Sequence, residues 1–266
     1  MANLYFVTFG NQRFTQRRWK LADEIKSSNW FQDIFVYGEE DVREVGKPCR
    51  GTGGGWWWWK SVIQKKALER IKENDILLYL DAGCYFNRLG VNEFDRYVKL
   101  LCANDGFLGF NTGAADTSEK TYTKRDLFKL LECESPEYTD SMQIASGLFL
   151  IRKNKLSVNL INEYVRVSMV EHCLDDTPSL SPNYPEYWNH KNDQSVFSLL
   201  VKKIYKEKNI DLLTLSSTIE DGKFYQYSDD VKTVCNSIKN NQPEELTKLK
   251  FPIITARIDD DYYTTT

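Results

Sequence analysis

The residues with the most chemical promise are carboxylates that follow apolar runs. Ile76-Leu77-Leu78-Tyr79-Leu80 is unbroken in the way a strand buried on both faces requires, and it stops abruptly at Asp81-Ala82-Gly83. Ligands of open α/β sheets bind beyond the carboxyl ends of strands, so Asp81 is placed to meet a ligand or a metal ion. Carboxylate oxygens suit Mn²⁺ or Mg²⁺, and such an ion neutralises a diphosphate as it departs. Gly83 lets the backbone approach a bound sugar closely, whereas the plain reading of Asp81 is a turn residue. A second carboxylate, Asp193 with Gln194 beside it, follows a loop holding Pro178, Pro182 and Pro185. It opens an amphipathic pattern of Val196, Phe197, Leu199, Leu200 and Ile204. Asp193 reads either as a helix N-cap or as a working carboxylate, associated with a metal or taking a proton from an acceptor hydroxyl. His190, close by, is a candidate phosphate contact or an ordinary packing residue.

Arg50, the Gly51 to Gly55 loop and Lys60 make a third group, able to wrap a phosphate with backbone amides and cations. The loop lacks the GxxxxGK[ST] pattern of a P-loop, which disfavours kinase and NTPase chemistry. Four consecutive tryptophans, Trp56 to Trp59, cannot all face one side of a helix. One or two are therefore candidates for an aromatic platform under a sugar or base, and the rest staple the helix start to the sheet.

Strand-like and helix-like runs alternate through the first two-thirds of the chain, the order that builds a mostly parallel sheet with helices packed on it. Strands are expected at Leu4 to Phe9, Asp33 to Tyr37, Ile76 to Leu80, Gly106 to Phe110 and Ile144 to Ile151. Helices are expected at Arg13 to Lys26, about Trp57 to Asn74, Val91 to Ala103, Leu156 to about Glu171 and Asp193 through Lys203. Thr112 to Thr123 reads as a polar loop, and strand signals are weak from Ile210 on.

A chain of 266 residues is long enough for one large α/β domain, and its 41% hydrophobic and 27% charged content is that of a globular protein. A net charge of -3 argues against nucleic acid as a partner. With two histidines and six scattered cysteines, a His-rich zinc site, a Ser-His-Asp triad and a disulfide framework all lack material. The first residues read as a strand rather than a signal peptide, and no stretch approaches the ~20 apolar residues that span a bilayer. The expected location is cytoplasmic, with at most peripheral membrane contact.

Four segments in order, Gly55-Trp-Trp-Trp-Trp-Lys60, Asp75-Ile-Leu-Leu-Tyr-Leu-Asp-Ala-Gly-Cys84, Ser146-Gly147-Leu-Phe and Asn192-Asp-Gln-Ser-Val-Phe-Ser198, carry a family resemblance. Together they resemble GT-A-fold glycosyltransferases of bacterial surface-polysaccharide loci and large DNA viruses, over roughly Leu4 to Leu200. The resemblance implies a single Rossmann-like domain over 1–266 with an open, mostly parallel sheet, a nucleotide-binding half (1–110) and an acceptor-binding half (111–266). Thr8, Phe9, Gly10 and Arg13 would then lie by the nucleotide, with Lys60 on the diphosphate. Asp81, Ala82 and Gly83 would form the metal motif, Asp81 holding Mn²⁺ or Mg²⁺. Trp57, Ser146, Gly147, His190, Asp193 and Gln194 would line the sugar and acceptor pocket, and Arg257 would close over the donor. Gly83 departs from the family's pattern, since the third position of the metal motif is otherwise an aspartate.

The activity so implied is transfer of a sugar from a nucleoside-diphosphate sugar, a UDP-sugar favoured, to a glycan or lipid-linked glycan acceptor. Two rivals are a sugar nucleotidyltransferase and a catalytically silent carbohydrate-binding protein. The first expects a glycine-rich basic signature after its first strand, where this chain has Gly10-Asn11-Gln12-Arg13.

Overall fold

In the computed structural model of the chain, residues 2–111, 118–216, 218–219, 222–223 and 251–255 are described. Among the described residues, strands and helices follow one another, with β1 (Leu4–Phe9), β2 (Asp33–Tyr37), β3 (Ile76–Leu80), β4 (Tyr85–Phe86), β5 (Phe107–Asn111), β6 (Ile144–Arg152) and β7 (Thr214–Ser216) followed by two-residue strands at Thr218–Ile219, Gly222–Lys223 and Ile253–Ile254. The long helices are α1 (Thr15–Ser28), α2 (Trp59–Arg70), α3 (Val91–Ala103), α4 (Lys155–Ser168) and α5 (Asp193–Glu207), with short helical turns at Glu119–Tyr122, Arg125–Leu130 and Pro136–Thr139. The central sheet has the order β2-β1-β3-β6-β5-β7. All its strands but β6 run in one direction, because β6 pairs antiparallel with both β3 and β5. This is the expected α/β architecture, a mostly parallel sheet flanked by helices.

Strand side chains alternate between two cores, as the two-residue period demands. Val7, Phe9, Phe35, Leu77, Tyr79, Phe149 and Ile151 face one way, into a cluster completed by α2, α4 and α5. Phe6, Leu78, Leu80, Leu108, Phe110, Leu148 and Leu150 face the other way, onto Leu21 and Ile25 of α1 and Phe94, Tyr97 and Leu101 of α3. Burying each such side chain is worth about 1.5–3 kcal/mol. The helices follow from the same economy. In α4, Leu160, Ile161, Tyr164 and Val167 form the buried stripe. Asn154 caps its start, accepting from the Ser157 amide at 2.8 Å while Ser157 Oγ accepts from the Asn154 amide at 2.9 Å.

The alternation breaks once. The β5–β6 pairing jumps from Gly109↔Phe149 to Asn111↔Ile144, so β6 carries a bulge. Ile144 consequently joins the same core as Phe149, although strict alternation would send it to the opposite face.

Between β5 and β6 the chain makes an excursion whose ends are paired at Ser118↔Met142. Glu119 is fully buried at that stem, receiving Lys202 Nζ at 2.6 Å, Gln143 Nε2 at 3.2 Å and the Ser198 hydroxyl. After β7, Ile253–Ile254 pairs antiparallel with β4. Ala256 and Arg257 lie outside the described residues, as does most of the stretch of weak strand signals.

Candidate functional site

Strand parity decides where Asp81 points. Tyr79 faces α2 and α5, and Asp81, two residues on, faces the same side at the carboxyl end of β3. The turn that carries it is closed by Cys84 N–H donating to Asp81 O at 2.9 Å. From α1, a buried Arg17–Glu24 pair supports this turn: Arg17 donates to Cys84 O, and Glu24 Oε2 accepts from Phe86 N–H at 2.9 Å. Asp81 N–H donates to Gly147 O at 2.8 Å, which continues the β3–β6 register. A Cβ on residue 147 would stand 2.8 Å from Asp81 Oδ2, so the carboxylate occupies room that only glycine leaves.

Lys60 reaches the same point from the first turn of α2, and Asp193 from the first turn of α5. The helix cap is Asn192, with φ +47°, and its side chain makes no capping bond. Asp193 is therefore the first helical residue, which corrects the N-cap reading, and its carboxylate turns to Lys60 and Ser146. Lys60 Nζ lies 3.0 Å from Asp81 Oδ1 and 2.9 Å from Asp193 Oδ2. Ser146, turned inward beside the bulge, donates its hydroxyl to Asp193 Oδ2 at 2.6 Å and accepts from Lys60 at 3.4 Å. Tyr79 donates its hydroxyl to Asp81 Oδ1 at 2.6 Å. Lys60 is 3% and Asp193 4% exposed, while the Asp81 side chain is 38% exposed.

Burial alone would drive Lys60 toward the neutral amine, but Asp193 and Asp81 reverse this and hold its ammonium above the ordinary lysine pKa. Burial lifts Asp193 above the ordinary carboxylate value against the pull of Lys60 and the Ser146 hydroxyl. Burial, followed by the charge of Asp81, raises the Tyr79 hydroxyl well above its usual range, which keeps it a donor.

The tryptophans divide as their crowding requires. Trp58 and Trp59 are core residues, Trp59 stacking on Phe9 with ring centroids 3.9 Å apart. Trp56 and Trp57 sit at the rim, the Trp57 ring centroid 6.0 Å from Lys60 Nζ. The regular helix starts at Trp59 rather than Trp57, because Gly53, Gly54, Gly55, Trp56 and Trp57 all have positive φ. This is a left-handed turn, tolerable because three of its five residues lack a Cβ. The amides of Gly54, Gly55 and Trp56 are spent inside it on Gly51 O and Thr52 O, which corrects the expectation that they wrap a phosphate. Trp56 Nε1 donates to Asp176 Oδ2 at 2.7 Å, and Asn192 Nδ2 donates to Asp176 Oδ1 at 2.9 Å. Asp176 thus ties the turn before Lys60 to the residue before Asp193.

Other expected residues are placed as follows. Thr8 and Phe9 end β1 and Gly10 follows it, but the Thr8 hydroxyl is spent on Leu80 O at 2.8 Å and Phe9 on Trp59. Arg13 is exposed on the turn before α1. Ala82 is buried and Gly83 half-buried beside Asp81. Gln194 donates to Gln143 Oε1 at 2.8 Å. His190 is 2% exposed, with Nδ1 accepting from the Lys124 amide at 3.3 Å and Nε2 donating to Cys173 O at 3.0 Å. Both ring nitrogens are committed, so His190 fastens the proline-rich loop and is not turned toward phosphate. Sequence reasoning passed over Tyr79, Asp176 and Asn192. Tyr79 was within reach of a strand-parity argument, whereas Asp176 carried no local signal.

The residues do not fit a protein-held divalent ion. Position 83 offers no carboxylate, the ammonium of Lys60 already stands between Asp81 and Asp193, and the Tyr79 hydroxyl takes Asp81 Oδ1. Among the described residues there is no cluster of three or more His, Cys, Asp or Glu side chains able to hold a metal. No helix among them is long and apolar enough to cross a membrane.

No family model and no curated protein matches the sequence. Among solved structures, the chain is similar to a glycosyltransferase involved in glycosylation of the major capsid of PBCV-1, at 14% identity and a TM-score of 0.46, covering 95% of this chain and 94% of that one. It is also similar to apo mouse xyloside xylosyltransferase 1, at 11% identity and a TM-score of 0.39, covering 96% and 97%. A third likeness is to 4-diphosphocytidyl-2C-methyl-D-erythritol synthase from Anaerococcus prevotii, at 10% identity and a TM-score of 0.40, covering 81% and 88%. Likenesses this distant say nothing about chemistry, so the functional argument rests on the site.

Proposed function

We propose that the chain is a glycosyltransferase, moving a sugar from a nucleoside-diphosphate sugar, with UDP favoured, to a glycan or lipid-linked glycan acceptor on the cytoplasmic side. The observation that carries this reading is the Lys60–Asp81–Asp193–Ser146 cluster beyond the carboxyl end of β3, where such sheets bind ligands. In the reaction the sugar–phosphate bond breaks, and the diphosphate leaves with its added negative charge. Lys60 supplies a fixed positive charge where that negative charge develops. Gly147 leaves the room that the Asp81 carboxylate occupies beside the sugar. Asp193 takes the acceptor proton if configuration inverts, and orients the sugar or acceptor if it is retained.

The test is a thermal-shift panel of UDP-, GDP-, dTDP- and CMP-sugars, each hit then assayed for released nucleotide. A donor present at a hundredfold over its Kd stabilises the folded state by about 2.7 kcal/mol, a readily measured rise in Tm. A shift with one base, accompanied by slow donor hydrolysis, supports the reading. Pyrophosphate release from CTP would point to nucleotidyl transfer instead, and a folded protein that responds to no nucleotide overturns the proposal.

A further inference from the structure

We propose that the Lys60 ammonium is the built-in cation of this site and stands in place of a divalent metal, so that nucleotide diphosphates bind independently of Mn²⁺ and Mg²⁺. The inference rests on the glycosyltransferase reading but concerns a separate property of the same site.

The donor set argues for it. A protein-held Mg²⁺ needs oxygens at about 2.0–2.1 Å in a near-octahedral shell, usually with one or two carboxylates turned toward it. Here the inward oxygens of both candidate carboxylates are turned toward Lys60, at 3.0 Å for Asp81 and 2.9 Å for Asp193. Ser146 completes the shell around the ammonium at 3.4 Å. The remaining demand on Asp81 Oδ1 is met by Tyr79, and Gly83 contributes no ligand. A divalent ion drawn to Asp81 would stand against an ammonium that cannot withdraw, because Lys60 is buried among Asp81, Asp193 and Ser146. The geometry also explains why a glycine is tolerable at position 83: its missing carboxylate is needed only where a metal has to be held. The side chain of Asp81, 38% exposed, and the half-buried Trp57 ring beside Lys60 mark the side from which a diphosphate approaches.

The experiment uses the full chain and two readouts. The first is the affinity of the nucleotide that scores in the thermal-shift panel, UDP by expectation, measured calorimetrically in EDTA and in saturating MnCl₂. The expected Kd values agree within about threefold, and a tightening by Mn²⁺ of about tenfold or more overturns the inference while leaving the transferase reading intact. The second readout needs no nucleotide: MnCl₂ is titrated into the protein, and free Mn²⁺ is followed by electron paramagnetic resonance. Wild type is expected to take up none, whereas Lys60→Met, which keeps the buried chain but removes the charge, gains a Mn²⁺ site on the two released carboxylates. Stoichiometric uptake by wild type that is lost in Asp81→Ala overturns the inference. If no nucleotide binds, the transferase reading falls, and the Mn²⁺ titration still decides this point. If Lys60→Met fails to fold, the wild-type measurements decide it.

Discussion

Protonation of His190 should unlock the loop that precedes Asp193, and the cost can be worked out from its surroundings. The ring is 2% exposed, and it is held neutral by a donor on one nitrogen and an acceptor on the other. Burial, with the nearby Lys124 ammonium adding to it, lowers its pKa from 6.5 to about 4. Between those values the unfolded chain binds a proton that the native chain refuses, so stability falls as pH drops through this window and is fully present above 6.5. At 1.36 kcal/mol per pKa unit the displacement is worth on the order of 3 kcal/mol, a large fraction of the ~5–15 kcal/mol that holds a typical domain together. Urea unfolding from about pH 7 down to about pH 4, run in parallel on wild type and His190→Gln, isolates this contribution from titrating carboxylates common to both. Wild type should lose roughly 3 kcal/mol more than the variant across the window. Equal losses would refute the argument and mean that the ring is reached by water or leaves its partners.

Three further perturbations probe the site and its support. Gly147→Ala places a methyl group 2.8 Å from Asp81 Oδ2 and must displace that carboxylate. Nucleotide release should drop by about 10²-fold with little change in Tm, and unchanged turnover would remove Asp81 from the reacting centre. Asp193→Asn should leave calorimetric nucleotide affinity within a few-fold but lower product formation by about 10²–10⁴-fold; equal loss of both would make Asp193 a binding residue. Phe197→Ala, in a fully buried ring stacked 4.7 Å from Phe149, should cost about 3–5 kcal/mol in urea denaturation. A cost under about 1 kcal/mol would mean that the α5–sheet core is not packed as described.

The strands were legible because their signal is local. Asp33 to Tyr37 and Ile76 to Leu80 are bounded in the structure as their residues announce, and Val91 to Ala103 forms the helix its pattern requires. What the sequence hid is non-local or depends on a single residue of phase. The direction of β6 is invisible in an apolar run, since parallel and antiparallel neighbours bury the same side chains. Trp57 fits the helical pattern of the residues after it, yet its φ of +61° follows from the glycines before it. Asp193 shows the same sensitivity: as the cap its carboxylate would bind its own helix, and one position later it meets Lys60. That meeting joins residues far apart in sequence, and no spacing rule anticipates it. Asp81 was legible by its place at a strand end, but what neutralises it was not.

The paired residues Ser118 and Met142 give the stretch between them the character of a cassette. Its stem is anchored on Glu119, and inside it Leu127, Phe128 and Leu131 join the core shared with α4 and α5. Asp81 and Gly147 take their alignment from the β3–β6 ladder, whose register runs from Ile76↔Arg152 to Leu80↔Leu148 and owes nothing to that excursion. Changes inside it therefore reach the charged cluster through Asp193 rather than Asp81, because the Lys124 amide holds His190 and Tyr122 O accepts from the Ser195 hydroxyl of α5.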